Sequence, residues 1–388
     1  MTFTHESGFP RIGDAESDAV LWEERATHSG MAVGIATLNS ARTIKALSLD
    51  MIRSLDAGLC RWAGDPRVAC VILTGAGEKG FCAGGDVRHL RESVLAHRGP
   101  APNPQAQAFF SEEYRLDYHL HTYPKPLLVW GDGVVMGGGL GLMAGAGHRV
   151  VTERSRIAMP EVSIGFYPDV GASWFLQRMP RRLGLFMALT GAALNARDAL
   201  SVGLADHALH AADSEPLFER LTQLAWGATA AQNHVVLSRA LRSFAGAAVD
   251  HLPSSNVDSQ ADAIQRLIHG DTLAETHRRM ADYHGTDPWL QGAVRTALGG
   301  SPTSASLIWE IWRRAKHLSL AEALRMELIV SLQCCSRPDF AEGVRALLVD
   351  KDNSPRWTPA TLDEVSPAWI AGHFAAPWPD GFHPLSDL

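Results

Sequence analysis

The chain has 388 residues, of which 46% are hydrophobic and 20% charged, and this balance is typical of globular proteins and excludes a disordered chain. The net charge of −7 and the pI near 6.2 exclude a basic surface of the kind that binds nucleic acid. The five cysteines contain no CxxC pair, so we expect neither disulfides nor a metal site. The N-terminus has no signal pattern and no apolar run reaches about 18 residues, so we expect a soluble cytoplasmic protein without a membrane span.

Composition divides the chain into three parts. Residues 1–28 are polar and are predicted to be a loosely structured leader. Strand and helix patterns alternate over residues 29–215, which predicts an α/β core. Strand-like runs become scarce over residues 216–388, so this part is predicted to be mainly helical, and its aromatic, Pro-rich end, 376–388, is predicted to be an extended strap over the surface.

Hydrophobic periodicity locates the elements of the core. In chain order it predicts a strand over 31–39, a helix over 44–63, a buried strand over 68–77, a Pro-rich loop over 97–107, a helix over 109–120, and then a strand, a Gly-rich turn, a helix and a strand within 125–151. The continuous hydrophobicity of 68–77 indicates a sheet covered on both faces.

Two glycine clusters stand where a predicted strand leads into a helix: "GFCAGGDV" at 80–87 and "MGGGLGL" at 136–142. Glycine allows positive φ and lets a ligand approach main-chain N–H groups, and a helix N-terminus adds unpaired donors. One such turn could bind a phosphate, and two could direct N–H groups to one oxygen as an oxyanion hole. Tight packing of helix on strand is the structural alternative. Neither cluster is a Walker A or dinucleotide motif, so no nucleotide cofactor is predicted.

Two carboxylates lie in the apolar stretch "MPEVSIGFYPDVGASWF". Glu161 and Asp169 are eight positions apart, and each follows a Pro and precedes a Val. Glu161 could be a surface acid and Asp169 a helix N-cap. Alternatively both face a reacting carbonyl, where burial and mutual repulsion would raise at least one pKa.

Other candidate residues carry weaker signals. His119 and His121 form an HxH pattern without an evident third metal ligand, so local packing is the simpler interpretation. Cys82 adjoins the first glycine turn and is predicted to be a small buried residue rather than a nucleophile. Arg42, Lys45 and Arg88 are basic residues near loops that could meet phosphates.

The motifs "GFCAGGDVRHL", "GVVMGGGLGLMAGAGHRVV" and "AMPEVSIGFYPDVGASWFLQRM", in this order and spacing, resemble the crotonase (enoyl-CoA hydratase/isomerase) superfamily over about residues 30–210. Downstream, "SPTSASL", "LSLAEALRMEL" and "RPDFAEGVRALLVDKDNSPRWTP" resemble its 3-hydroxyisobutyryl-CoA hydrolase branch. The resemblance implies a ClpP-like spiral of ββα units, with 29–215 as the acyl-CoA-binding catalytic core, followed by the helical region.

The resemblance also implies roles for individual residues. The N–H groups of Gly85 and Gly138 would form the oxyanion hole around a thioester oxygen. The backbone near Ala83 would contact the adenine of coenzyme A, and Glu113 would contact the substrate. As an alternative for Glu113, adjacent acids at the start of a helical pattern commonly lie in solvent.

One departure from the family pattern bears on the reaction. Hydratases carry a catalytic Glu two positions after the glycine triplet, where this chain has Gly141, whereas the second hydratase Glu matches Glu161. Asp169 stands where hydratases generally have Gly and the hydrolase branch has Asp. Glu161 would attack the thioester carbonyl or activate a water, and Asp169 would hold that water or orient the acyl group. The implied reaction is hydrolysis of a short branched β-hydroxyacyl-CoA, 3-hydroxyisobutyryl-CoA in valine breakdown.

Two alternatives stay open at this point. The first is a hydratase or isomerase of the same fold, which Gly141 disfavours. The second is a catalytically silent acyl-CoA-binding protein, which the Glu161/Asp169 pair disfavours. No metal or redox cofactor is implied. Crotonase relatives commonly form trimers, so a homo-oligomer is compatible with the resemblance, although the extended C-terminal half could cover that surface.

Overall fold

The computed structural model describes residues 19–40, 46–99 and 101–388. The strands are β1 (Val20–Ala26), β2 (Ala32–Leu38), β3 (Val68–Gly75), β4 (Gly80–Cys82), β5 (Leu127–Gly131), β6 (Val134–Met136), β7 (His148–Val151), β8 (Arg156–Ala158) and β9 (His207–Ala208). The helices of the core are α1 (Leu49–Gly64), α2 (Val87–Ala96), α3 (Pro104–His121), α4 (Gly138–Ala144), α5 (Ala172–Phe175), α6 (Leu183–Thr190) and α7 (Ala196–Ser201). In the described residues we find no helix with the length and apolarity to cross a membrane.

The helices that follow the core are α8 (Ser214–Thr222), α9 (Ala230–Ala248), α10 (Asn256–Ser259), α11 (Ala261–Ile268), α12 (Leu273–Ala281), α13 (Pro288–Gly299), α14 (Pro302–Arg314), α15 (Leu320–Cys335), α16 (Pro338–Val344) and α17 (Pro367–Gly372). The prediction of a mainly helical C-terminal region is confirmed. Its last residues lie across α3, where Trp378 Nε1 donates to Gln107 Oε1 over 2.7 Å and Arg115 pairs with Asp387 at 2.7 Å.

The strands form two sheets. Six make the main sheet in the order β1-β2-β3-β5-β7-β9, and three make a small sheet in the order β4-β6-β8. All neighbours are parallel except β1 and β2. In three successive pairs, β3/β4, β5/β6 and β7/β8, the first strand enters the main sheet and the second enters the small sheet. This is the predicted α/β spiral of ββα units, so the fold-class prediction is confirmed.

Strand β3 shows why the main sheet is buried on both sides. Val71 and Leu73 pack into one hydrophobic cluster, whereas Cys70 and Ile72 pack into the other. Successive side chains point to opposite faces of a strand, so a strand covered on both faces needs an unbroken apolar run. The prediction that the sheet is covered on both faces is confirmed.

The prediction of a loosely structured leader is wrong for Val20–Ala26. These residues form β1, antiparallel to β2, with Trp22 opposite Ala36. The Trp22 ring meets Trp62 of α1 edge-on with ring centroids 4.9 Å apart. An antiparallel edge strand can expose one face to solvent and carry polar residues there, which is why polar composition obscured it. Residues 1–18 lie outside the described residues.

Helix α3 begins earlier than the sequence predicts, so the predicted loop over 97–107 is wrong for its last residues. The Asn103 side chain accepts from Gln105 N over 2.9 Å and from Ala106 N over 3.3 Å. Pro104 occupies the first helical position. An Asn N-cap followed by Pro is a favoured helix start, and the extension adds a turn to the helix that carries Glu113.

Candidate active site

The two glycine-rich turns adjoin each other. The first follows β4 and the second follows β6, and these strands are neighbours in the small sheet. A β-carbon placed on Gly84 would lie 3.2 Å from Met136 O and 3.5 Å from Gly138 N. Gly84 has φ +99° and Gly137 has φ +51°, values that side chains disfavour. Glycine allows the two turns to pack this closely, because it has no side chain and adopts these backbone conformations.

The predicted oxyanion donors, Gly85 and Gly138, lie in these two turns. Leu47 bridges the first turn, since its N–H donates to Gly84 O over 2.8 Å and its carbonyl accepts from Asp86 N over 2.9 Å. Gly138 is the first residue of α4, so its N–H has no partner within the helix. Among the described residues, the N–H of neither Gly85 nor Gly138 donates to a protein acceptor. Both N–H groups are therefore available to a ligand oxygen.

Two carboxylates lie against the second turn. A β-carbon on Gly138 would lie 2.5 Å from Glu113 Oε1, and one on Gly137 would lie 2.9 Å from Glu161 Oε1. Glu113 is 2% exposed and Glu161 is 7% exposed. The alternatives that placed either acid in solvent are therefore wrong. A side chain on either glycine would displace a carboxylate.

Asp169 joins the same buried group through α3. Its Oδ2 accepts from the hydroxyl of Tyr114 over 2.6 Å, and Asp169 is 6% exposed. The N-cap of α5 is Gly171, which has no side chain, so the alternative in which Asp169 caps that helix is wrong. Tyr114 directly follows Glu113, so one turn of α3 carries both Glu113 and the hydroxyl that donates to Asp169.

Burial dominates the ionisation of these acids. It raises the pKa of Asp169 to about 7, against the opposing hydrogen bond from Tyr114. Burial, and then the charge of Asp169, raises the pKa of Glu161 well above its ordinary range. The pKa of Glu113 rises for the same reasons, with Asp169 and Glu161 as its charged neighbours. Like charges this close resist joint ionisation, so near neutral pH the group retains protons.

Sequence reasoning missed a fourth acid, Asp117. It is fully buried, and neither carboxylate oxygen has a hydrogen-bond partner among the described residues. Burial raises the pKa of Asp117 well above its ordinary range, and the charges of Glu113, Asp169 and Glu327 add to the effect. Asp117 follows Glu113 by four positions, so both point from one face of α3. That spacing was the available signal.

The space beside Gly141 is already filled. A β-carbon there would lie 2.6 Å from Val170 Cβ and 3.1 Å from Asp117 Oδ1. Val170 has φ +53°, a rare conformation for a β-branched residue. The position at which the family resemblance places a hydratase acid therefore has no room for a side chain.

Glu327, on α15, is a second acid that sequence reasoning missed. Its Oε2 accepts from Gly171 N over 2.7 Å, and its Oε1 accepts from Ser173 N over 2.9 Å and from Ser173 Oγ over 2.5 Å. Burial raises the pKa of Glu327 to about 8 despite the donors on Ser173 and Gly171. Glu327 fixes the segment that follows Asp169. It lies 156 positions after Gly171, and no local pattern links the two.

The remaining candidates are distributed around the first turn. Ala83 is half-buried within it, and Cys82 is buried as predicted. Arg88 is exposed and donates to Leu348 O over 2.8 Å. Arg42 and Lys45 lie outside the described residues.

A surface cavity of about 480 Å³ lies apart from these acids. Its lining includes Gly75, Phe81, Trp130, Asp132 and Arg154. Asp132 and Arg154 pair with each other, and none of the predicted site residues lines the cavity. The buried carboxylates beside the glycine turns therefore remain the chemically distinctive part of the molecule.

Comparison with known proteins gives one family. A family model described as enoyl-CoA hydratase/isomerase matches residues 33–374. A protein of Danio rerio named 3-hydroxyisobutyryl-CoA hydrolase, mitochondrial, is 38% identical over 346 residues, which cover 88% of this chain and 87% of the relative. The Homo sapiens protein of the same name is 34% identical over 374 residues, which cover 96% of this chain and 92% of the relative.

Solved structures resemble the whole fold. A structure titled carnitinyl-CoA dehydratase, from Mycobacterium thermoresistibile, matches with a TM-score of 0.80 and 36% identity, and covers 92% of this chain and 97% of its own. A structure titled enoyl-CoA hydratase, from Rhodobacter sphaeroides 2.4.1, matches with a TM-score of 0.77 and 33% identity, and also covers 92% of this chain and 97% of its own. The similarity therefore extends through the helical C-terminal region.

Proposed function

The chain belongs to the enoyl-CoA hydratase/isomerase family, and from this premise we propose that it hydrolyses the thioester of 3-hydroxyisobutyryl-CoA to 3-hydroxyisobutyrate and coenzyme A. The names of the Danio rerio and Homo sapiens relatives support this substrate, because the chain matches nearly the full length of both. The buried acids Glu161 and Asp169 support a catalyst over a silent acyl-CoA-binding protein, since binding alone does not need closely spaced buried carboxylates.

The choice between hydrolysis and hydration rests on the filled space at Gly141. Hydration of a double bond uses a second acid to deliver or collect a proton, and Val170 and Asp117 occupy the room that this acid would need. Hydratase activity remains the second candidate, because the two similar solved structures are titled as a dehydratase and a hydratase. The geometry at Gly141 favours the hydrolase.

In the proposed reaction, the N–H groups of Gly85 and Gly138 bind the thioester oxygen and stabilise the oxyanion. Each donor of this kind contributes about 3–4 kcal/mol to the transition state. The adenine of coenzyme A lies against the backbone near Ala83. Glu113, beside Gly138, contacts the acyl group.

Glu161 supplies the attack by one of two routes. Its Oε2 is buried without a hydrogen-bond partner among the described residues, so it is available to the substrate. In the first route, Glu161 attacks the carbonyl carbon, the C–S bond breaks, and water then hydrolyses the mixed anhydride. In the second, Glu161 takes a proton from a water that Asp169 holds, the water oxygen attacks the carbonyl carbon, the C–S bond breaks, and the coenzyme A thiolate takes up the proton. The intact protein mass after rapid quenching separates them, because only the first route adds the acyl group to the chain.

The test is an assay of the purified protein with 3-hydroxyisobutyryl-CoA and with crotonyl-CoA. We expect release of free thiol from the first compound and no change in enoyl absorbance with the second. Loss of enoyl absorbance without thiol release would instead establish a hydratase. Silence toward both, together with measurable binding of acyl-CoA, would establish a binding protein.

The compartment and assembly belong to the same proposal. The five cysteines, all of them among the described residues, form no disulfide. This suits a reducing compartment and supports the cytoplasm, although the two vertebrate relatives carry "mitochondrial" in their names. Cell fractionation followed by detection of the protein tests the compartment. Sedimentation of the purified protein tests whether it forms a homo-oligomer.

A further inference from the structure

The outer face between α1 and α3 brings together three side chains of the kinds that bind transition metals. Asp56 and Cys60 are one turn apart on α1, and His119 reaches them from α3. One donor atom from each lies within 4.8 Å of the other two. The HxH pattern in the sequence does not form this group, because His121 packs instead on Trp174 with ring centroids 5.6 Å apart.

The two donor separations that involve His119 are close to those of a tetrahedral zinc site. His119 Nδ1 lies 3.0 Å from Asp56 Oδ1 and 3.7 Å from Cys60 Sγ. Zinc bonds of about 2.0–2.3 Å to nitrogen, oxygen and sulfur place neighbouring donor atoms about 3.3–3.6 Å apart. The two pairs that include His119 therefore need shifts of a few tenths of an ångström to admit the ion, and the donor atoms of Asp56 and Cys60 lie within 4.8 Å of each other. We propose that Asp56, Cys60 and His119 form a Zn²⁺ site that joins α1 to α3, separate from the buried carboxylates.

The chemical types of the three donor atoms indicate which metal the site prefers. A thiolate and an imidazole favour zinc over magnesium or calcium, which prefer oxygen ligands. Thiolate and carboxylate together neutralise a divalent ion, and the neutral imidazole completes three protein ligands. Cys60 is exposed, and the side chain of Asp56 is 36% exposed. Water therefore has access to the fourth position.

The site is organised before the metal arrives. The Tyr123 ring lies 5.5 Å from the His119 ring, and the Tyr123 hydroxyl donates to Leu59 O on α1 over 2.9 Å. The hydrogen bond between His119 and Asp56 already holds the imidazole toward α1. Fixing a ligand in advance reduces the entropy lost on binding, so these contacts of His119 favour metal binding at this position.

Proton release accompanies binding. The titratable groups that face Cys60 are Asp56 on its own helix and His119 and Tyr123 from across the interface, and Arg115 of α3 faces Asp56. The thiol of Cys60 loses its proton to solvent. The neutral imidazole changes tautomer through solvent, so that the proton that Nδ1 donates to Asp56 is replaced by one on Nε2, and Nδ1 binds the ion. Zinc therefore competes with a proton, and its apparent affinity rises with pH.

The experiment uses the full-length protein, reduced and freed of metal with a chelator. Co²⁺ is titrated as a spectroscopic probe, and Zn²⁺ is titrated by calorimetry at pH 6.5 and pH 8. We expect one ion per chain, a thiolate-to-cobalt charge-transfer band, tighter Zn²⁺ binding at the higher pH and a raised midpoint of thermal unfolding with Zn²⁺.

Matched variants localise the ion. Cys60→Ser should remove the charge-transfer band, and both Cys60→Ser and His119→Gln should weaken Zn²⁺ binding at least about tenfold. His89→Gln, an exposed histidine on α2, is the control and should bind Zn²⁺ like the wild type. Circular dichroism confirms that each variant is folded. Absence of the band in the wild type, or undiminished Zn²⁺ affinity in folded Cys60→Ser, would overturn the proposal.

Discussion

The hydroxyl of Tyr114 donates to Asp169 Oδ2 over 2.6 Å and lies 2.6 Å from Ser331 Oγ on its other side. Tyr114 belongs to the core helix α3, whereas Ser331 belongs to α15 of the helical region. Glu327, one turn earlier on α15, holds the backbone of Gly171 and Ser173. The C-terminal region is therefore part of the site, because it fixes the loop on which Asp169 lies.

Tyr114→Phe should move the acidic limb of the pH–rate profile to higher pH. The hydrogen bond from Tyr114 favours the ionised form of Asp169 and lowers its pKa. Without this bond the pKa of Asp169 rises above about 7, and a higher pH is needed to ionise it. Tyr167→Phe is the control, because the Tyr167 hydroxyl forms hydrogen bonds with Glu327 O and Ser331 Oγ but none with Asp169. Superimposable profiles of Tyr114→Phe and the wild type would contradict the assignment.

Glu161→Gln should reduce the rate of thiol release by about 10²–10⁴-fold, the range for loss of a catalytic acid or base. The affinity for coenzyme A should change little, because the substitution preserves the shape of the side chain. Initial rates and calorimetric titration with coenzyme A measure the two effects. Glu112→Gln is the control on α3, since Glu112 is paired with Arg53 on the surface. Full turnover in Glu161→Gln would exclude its proposed role.

Gly138→Ala tests the oxyanion hole. The added methyl group would lie 2.5 Å from Glu113 Oε1 and 3.1 Å from Leu47 Cδ1, so the turn or the carboxylate must move. We expect kcat to fall by about 10²-fold, as for loss of one oxyanion donor. Gly299→Ala is the control, because a β-carbon there meets no atom within 4 Å. An unchanged kcat for Gly138→Ala would show that the Gly138 N–H does not stabilise the transition state.

The sequence predicted the parts of this site that local patterns encode. Glycines between strand and helix indicated the two turns, and an acid in an apolar stretch indicated Glu161 and Asp169. The edge strand β1 was missed because its exposed face is polar. Glu327 was missed because its partners are distant in the chain, and Asp117 because one acid on an amphipathic helix ordinarily lies in solvent. The environment of both residues is determined by contacts with segments that are distant in the chain.

Asp117→Asn should become more stable relative to the wild type as pH rises. The native pKa of Asp117 is raised, so above the unfolded-state value of about 3.9 the native state binds more protons than the unfolded state. The stability of the wild type therefore falls with increasing pH by up to about 1.4 kcal/mol per pH unit, until the native pKa is reached. Asparagine does not titrate and avoids this loss.

Denaturant unfolding at pH 5 and pH 7 measures the effect of Asp117→Asn. The difference in the free energy of unfolding between variant and wild type should grow in favour of the variant between these two pH values. Asp363→Asn, at an exposed position, is the control and should not reproduce this growth. A constant difference for Asp117→Asn would show that Asp117 does not retain its proton in the native state.

Gly141 and Val170 should be energetically coupled. A methyl group on Gly141 would lie 2.6 Å from Val170 Cβ, so Gly141→Ala should lower the free energy of unfolding by about 1–3 kcal/mol through overpacking. Val170→Gly removes the obstructing side chain. It also relieves backbone strain, because φ at this position is +53° and this conformation costs a residue other than glycine about 1–3 kcal/mol. It also leaves a void beside Gly141.

The double variant Gly141→Ala/Val170→Gly places the new methyl group in that void, so its loss of stability should be smaller than the sum of the single losses by about 0.5–3 kcal/mol. Denaturant unfolding of the wild type and the three variants measures this coupling. The rate of thiol release should follow the same order, because Val170 adjoins Asp169 and shares its loop. Strictly additive losses would show that the two positions do not compete for one space, and Val170 would then no longer explain why position 141 carries glycine.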